Sequence, residues 1–381
     1  MFSEKKVMIP GPTPVIRSIR EEMGREMQAF GDPRFVRDYK DLIDGLAELL
    51  ACKGQAFPLA GTGTLAMEMA VANSTKPGDD ILIVSHGFFG DRFIDICERK
   101  GRKTDVISSK WGETVGIDEL KEQLDSKEYQ AVFVTHVDTS TGVRAQVAEI
   151  GELLKLYPDT LYILDGVAAT GGEYTHMSDM NIDILFTGSQ KAFGVCPGMF
   201  VLWANKKALE RRAEIGGISE YYVDFEKWLP IMEDPSRYFA TPAVNLVWAM
   251  KKSMEIMQNE GMKERAARHE RNGRAMQKAF ENMGFTVLAK PECRASTLSC
   301  LIYPEVISDA DFRARLSEKG VVIAGALTEF AGKACRVGHM GNIDFDLLIS
   351  VIASMENTLR ASGVNVEVGS SVAAFTQALE E

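Results

Sequence analysis

The chain has 381 residues, 45% of them hydrophobic and 25% charged, with 33 glycines and 13 prolines. That is ordinary globular usage, which excludes a disordered or fibrous protein. Its 43 Lys and Arg against 54 Asp and Glu give a formal net charge of −11, which argues against a protein built to wrap nucleic acid or to lie on anionic lipid.

In chain order, a PGP turn at Pro10, Gly11 and Pro12 precedes two amphipathic segments, and helices are expected over 14–28 and 33–52. The second places Phe35, Tyr39, Leu42, Leu46 and Leu49 at helical spacing. Gly61-Thr62-Gly63-Thr64 opens a further helical run, and an apolar strand follows at 81–85. The pattern then alternates: a helix ending at Gly101, a strand near 103–107, a helix near 117–124, a strand at 131–137, a helix at 145–156 and a strand at 161–165. Two more strands, 183–191 and 199–205, flank a polar, glycine-containing turn. Strands apolar on both faces in a βαβ rhythm predict a mostly parallel sheet covered by helices.

Beyond a helix from 206, residues 221–242 read as irregular and aromatic-rich, and 243–282 as one charged helix bridging to a second unit. The shorter elements after 284, with helices at 308–319 and 344–360 and a last helix in the tail, predict a small α+β domain. Six scattered cysteines, with no C-x-x-C pair and no close histidine, predict reduced thiols and no bound metal. No apolar run reaches the length of a signal peptide or a membrane span, so a cytoplasmic protein with no membrane partner is expected.

Four features suggest chemistry. Lys191, in Gly188-Ser189-Gln190-Lys191, ends an apolar strand. Such a lysine is either structural, snorkelling to solvent, or a nucleophilic amine that condenses with a carbonyl compound. Asp165 ends LYILD; it either caps the next turn or holds a pyridine nitrogen protonated. The 61–64 turn before a helix is either a helix cap or an anion cradle, and it matches neither a dinucleotide fingerprint nor a Walker loop. Arg336, between Cys335 and Val337, invites a carboxylate through its bidentate fork. The five histidines lack metal-ligand spacing.

With LDGVAATGG at 164–172, GSQKAFGVCPG at 188–198 and RVGHMG at 336–341, the chain resembles the class V branch of fold-type I pyridoxal-phosphate enzymes, nearest the alanine–glyoxylate and serine–pyruvate aminotransferase group. The resemblance runs from PGPTP at 10–14 to about 360. It implies a large α/β domain over 21–260, a small α+β domain over 261–381, and an N-terminal segment 1–20 packed on the large domain or on a dimer partner.

It also implies pyridoxal 5′-phosphate as cofactor, Lys191 as the residue that binds it covalently and acts as base, and Asp165 as the partner of the pyridine nitrogen. Thr62, Gly63, Thr64 and Gln190 fall at phosphate contacts, Thr139 at a contact to the ring oxygen, and Arg336 at the substrate carboxylate. Phe89, with Phe88 beside it, stands where relatives of the animal enzyme commonly carry a tryptophan stacked on the ring. Tyr238 and Thr241 match residues that reach the phosphate in the opposite subunit of a homodimer.

The expected reaction is transamination between alanine or serine and glyoxylate or pyruvate. No second arginine is evident for a dicarboxylate, with Arg34 and Arg237 the candidates. Aspartate or ureidoglycine as donor are the alternatives, as is a lyase or desulfurase using a thiol such as Cys335.

Overall fold

A computed structural model describes residues 5–380; the first four residues of the expected N-terminal segment, and Glu381, lie outside the described residues. The main sheet has seven strands: β1 Gly54–Gly61, β2 Asp80–Ser85, β3 Lys103–Ser108, β4 Ala131–Thr135, β5 Leu161–Asp165, β6 Ile184–Gly188 and β7 Gly198–Asn205. They lie in the order β1-β7-β6-β5-β4-β2-β3. β7 is antiparallel to both its neighbours, and the remaining pairs are parallel. The short 189–197 connection makes β7 return beside β6, whereas the parallel pairs are spanned by crossovers carrying helices. Every residue of β4, β5 and β6 is buried, as a sheet covered on both faces requires.

The strand order reverses between β2 and β4: one connection leaves towards β3, the next returns past β2 and continues towards β7. Ligands in open α/β sheets bind at such a switch point, beyond the carboxyl ends of the strands. The 61–64 turn, the helix Phe88–Arg99, Thr139, Asp165 and Lys191 all follow the ends of strands from this sheet.

A second sheet, β8 Thr286–Val287, β9 Leu298–Ile302, β10 Ala324–Gly325 and β11 Ala334–Gly338, is antiparallel in the order β8-β9-β11-β10. Helices Asp309–Glu318, Phe345–Ala361 and Ser370–Glu380 contribute to its apolar core through Phe312, Val351, Met355 and Phe375. The tail thus forms the expected last helix. At the other end of the chain, Lys6–Val7 pairs in parallel with Val321–Val322, and Gly338 N–H donates to Met8 O at 2.8 Å. From there the chain runs to Pro10 and Gly11 beside Lys191.

Four expectations need correction. The first helix is confined to Arg17–Met23: Ile16 is extended and Gly24 ends the helix. β1 was not expected, because Pro58 sits inside it; it is tolerated on an edge strand, where a missing N–H costs least, and its carbonyl accepts from Tyr39 Oη at 2.9 Å. The 221–242 stretch contains the helix Phe225–Glu233, which buries Trp228, Ile231 and Met232 despite Pro230. The bridging segment is two helices, Val244–Glu260 and Met262–Asn282, separated by Gly261 at φ 85°. A side chain there is strained by the left-handed backbone, so the glycine allows the chain to redirect from the large core to the small one.

The helix that carries Phe89 rests on the sheet through Phe93, whose ring lies 5.1 Å from Phe133 and 6.2 Å from Phe186. Phe133 is fully buried, so Phe133→Ala should destabilise the protein by about 3–5 kcal/mol and Phe133→Leu by about 1 kcal/mol. Denaturant midpoints at constant m-value check the ranking.

Candidate active site

Asp165 ends β5 and is 4% exposed. Its Oδ1 accepts from Val167 N–H at 2.8 Å, and Oδ2 has no hydrogen-bond partner among the described residues. Burial, reinforced by the nearby Asp138 charge, pushes its pKa up to about 7; the Val167 bond, Lys191 and Arg92 act the other way. A carboxylate left this poorly solvated is poised to accept a charged donor.

Lys191 lies in the turn after β6. Thr13 anchors this turn, its N–H donating to Gln190 O at 3.0 Å and its Oγ1 to Lys191 O at 2.8 Å. The Lys191 ammonium donates to Pro10 O. Gly11, at φ 116°, suits glycine because the backbone is left-handed, and a Cβ there would stand 2.6 Å from Lys191 Cδ and push the lysine side chain aside. Burial lowers the Lys191 pKa to about 8, with the Arg336 charge adding to the effect and Asp165 opposing it. An amine so placed is available as nucleophile or base near neutral pH.

Around these two groups is a cavity of about 160 Å³, lined by Thr62, Gly63, Thr64, Phe89, Thr139 and Gln190 together with Asp165 and Lys191. Thr62 is the N-cap of the helix Gly63–Ser74, whose first N–H groups open towards this space. A cleft of about 380 Å³ lies elsewhere, lined by Lys53, Asp183 and Lys207 among others. Volume does not identify the site; the convergence of Asp165 and Lys191 does.

Of the remaining expected residues, Arg336 does not line the cavity but reaches towards it. It donates from Nε to Gly325 O at 2.8 Å and from Nη1 to Thr139 O at 3.3 Å, and among the described residues it has no ion-pair partner. Cys335 packs instead with Val337 and Phe312 in the small core, where burial drives its thiol pKa far up. Tyr238 and Thr241 are not in the cavity of their own chain: Tyr238 is 63% exposed, its hydroxyl lies 3.5 Å from Thr241 Oγ1, and its ring is 5.3 Å from that of Phe30. Arg34 is paired with Asp32 and Arg237 with Asp234 and Glu233, and neither lines the cavity of its own chain.

Two residues that sequence reasoning passed over matter here. Asp138 is fully buried, and its Oδ2 accepts from Phe89 N–H at 2.9 Å and Gly90 N–H at 3.2 Å, capping the helix that presents Phe89. Its position beside Thr139 was the available signal. Arg92, also in the lining, donates to Thr64 Oγ1 at 2.9 Å, and its guanidinium carbon lies 4.8 Å from the Phe89 ring centroid. Its signal was the three-residue spacing from Phe89 on one helix.

Among the described residues no group of three or more His, Cys, Asp or Glu could hold a metal ion. No described helix is long and apolar enough to cross a membrane. The family model for class-V aminotransferases matches residues 56–375. A serine–glyoxylate aminotransferase of Hyphomicrobium methylovorum is 30% identical, over 97% of this chain and 93% of its own length. An L-aspartate–glyoxylate aminotransferase of Paracoccus denitrificans is also 30% identical, over 98% and 96%. The crystal structure of the ureidoglycine–glyoxylate aminotransferase of Bacillus subtilis superposes with a TM-score of 0.93 at 25% identity, covering 100% of this chain and 99% of that one. With its large mostly parallel sheet and small antiparallel one, the chain has the fold-type I architecture, belongs to the class-V aminotransferases and is a pyridoxal-phosphate-dependent aminotransferase.

Proposed function

We propose that this enzyme transfers an amino group between alanine or serine and glyoxylate or pyruvate, with pyridoxal 5′-phosphate held between Lys191, Asp165 and the 61–64 turn. The observation that carries the reading is Arg336, a partly buried guanidinium close enough to depress the Lys191 pKa, bonded to backbone carbonyls and without a carboxylate of its own among the described residues. A substrate carboxylate supplies the missing anion. The three relatives above all have glyoxylate in their names but differ in the donor, which supports glyoxylate as acceptor. No second arginine beside Arg92 lines the cavity of its own chain, which favours a donor without a second carboxylate.

The described residues fit the cofactor. Asp165 Oδ2, free of a partner among the described residues, would accept from a protonated pyridine nitrogen. Phe89 and Val167 give the cavity apolar walls, and the helix N-terminus behind Thr62 faces a phosphate. When bound, the cofactor supplies an electron sink for the pair left at the substrate Cα. Lys191 Nζ would hold it covalently, and the same amine, when free and neutral, would take the proton from the substrate Cα. Arg336 orients the carboxylate so that the Cα–H bond faces Lys191. Thr139 would contact the ring oxygen, and Gln190 with Thr64 would assist at the phosphate, since all three line the cavity. A desulfurase reading has little support, because Cys335 faces the small core.

A homodimer is part of this reading. Tyr238 and Thr241 face outward on their own chain, and we assign them to the phosphate of a second copy. The division into 1–20, 21–260 and 261–381 is part of the same proposal, and the redirection at Gly261 supports its second boundary. Six free thiols suit a cytoplasmic enzyme.

Borohydride reduction followed by peptide mass analysis should place the pyridoxyl group on Lys191; labelling of another lysine would reject the assignment. Condensation needs the neutral amine, so cofactor attachment should accelerate as pH rises through about 8 and then level off. Arg336→Met removes a repelling charge and should move that midpoint upward. Arg336→Lys keeps the charge but loses the fork, so kcat/KM should fall about 10–100-fold for amino and oxo acids alike, with the cofactor band retained. A fall confined to dicarboxylic donors in a donor–acceptor matrix would instead bring aspartate forward. For the dimer, mixing a Lys191-defective subunit with a Tyr238 and Thr241 double variant should restore one composite site. Confirmed heterodimers without recovered activity would exclude sharing.

A further inference from the structure

Arg92 is not explained by the roles assigned so far. It sits one turn into the helix Phe88–Arg99, three residues after Phe89, and lines the cavity. Of the described residues in that lining it alone carries a guanidinium. Nη1 donates to Thr64 Oγ1 at 2.9 Å, while Nε and Nη2 donate to no described residue. No described carboxylate forms an ion pair with it: Asp165, in the same lining, feels its charge without bonding to it, and the others nearby are engaged elsewhere. Asp91 Oδ1 accepts from Ser85 Oγ at 2.7 Å, Asp95 pairs with Arg99 at 2.7 Å, and Asp138 is committed to Ser140 and the helix N-terminus. The guanidinium is also fixed in direction, its carbon lying 4.8 Å from the Phe89 ring and 5.3 Å from the Phe88 ring.

The charge balance of the cavity points to the missing partner. A phosphate monoester brings close to two negative charges near neutral pH, and the N–H groups and hydroxyls of the 61–64 turn answer them only with partial charges. Lys191 is committed to the aldehyde carbon and Arg336 to the substrate carboxylate. We propose that Arg92 is a ligand of the cofactor phosphate, held by Thr64 and the two phenylalanine rings so that its two unused N–H edges meet the phosphate oxygens. The assignment rests on the cofactor reading above and extends it. The same side chain thereby ties the phosphate turn to the helix that presents Phe89, so phosphate binding and ring contact are set by one group.

Phosphate-dependent affinity provides the test. The apoprotein is titrated with pyridoxal 5′-phosphate and separately with pyridoxal, following the absorbance of the covalent complex. Arg92→Gln can still donate to Thr64 but carries no charge. It should bind the phosphorylated aldehyde about 10–100-fold more weakly while changing pyridoxal affinity by less than about 3-fold. An equal loss for both aldehydes would make Arg92 a brace for Phe89 and overturn the proposal, as would unchanged affinity for the phosphorylated one. If the glutamine protein does not fold, Arg92→Lys carries the test. It should lose about 3–10-fold for the phosphorylated aldehyde alone, by loss of the fork, and wild-type affinity in that protein also overturns the proposal. Wild-type protein that binds neither aldehyde, or binds at a lysine other than Lys191, would reject the cofactor reading itself.

Discussion

A carboxylate buried at the end of a central strand is expensive unless something answers its charge. Asp165 receives one backbone hydrogen bond and stands near a second buried carboxylate, Asp138, so its pKa rises to about 7. Much of the surrounding architecture can be understood as arranging for a cation to come to it. The amine of Lys191 is close enough to feel it, and the cavity between them is open to a ring that carries a positive nitrogen. Asp138 is satisfied instead by the helix N-terminus and by Ser140. Two acids at the ends of neighbouring parallel strands therefore do different work: one fixes a helix, the other stays available.

Arg265 shows how distant segments are brought to this acid. It is fully buried on the helix Met262–Asn282 and donates to Gly171 O at 2.7 Å, Ala192 O at 2.8 Å and Asn342 Oδ1 at 3.1 Å. Those three acceptors lie six residues after Asp165, next to Lys191, and six residues after Arg336. One turn further on, His269 extends the same link: Nδ1–H donates to Arg265 O, leaving Nε2 to accept from Gly341 N–H at 2.9 Å. Burial holds that ring neutral, its pKa near 3, which suits this single tautomer. Glu260 completes the cluster by pairing with Arg265 and Arg268.

The alternation of a β-strand resolves the choice between two chemistries at 335–336. Successive side chains point to opposite faces, so β11 sends Cys335 into the core against the helices and Arg336 towards Thr139 and the cavity. The face assignment follows from the apolar neighbours: Val337 shares the core with Cys335, and a one-residue shift in register would bury the guanidinium among them.

Local sequence determined the elements whose signals are local. Apolar runs specified β2, β4, β5 and β6, helical spacing specified Pro33–Leu49, and the GTGT turn marked the helix capped by Thr62. The motifs around Asp165, Lys191 and Arg336 identified the family, since they record chemistry that needs those residue types at those places. Tertiary structure decided what depends on neighbours far along the chain. Pro58 is acceptable only because β1 is an edge, and Pro230 lies inside a helix only because Trp228 and Ile231 bury its face. Gly261 falls inside a stretch that reads as one long helix, and only its left-handed backbone shows where that helix divides. Asp138 and Arg265 gave no motif of their own, because a buried charge declares its role only through the groups that desolvate it and the donors or acceptors left to answer it.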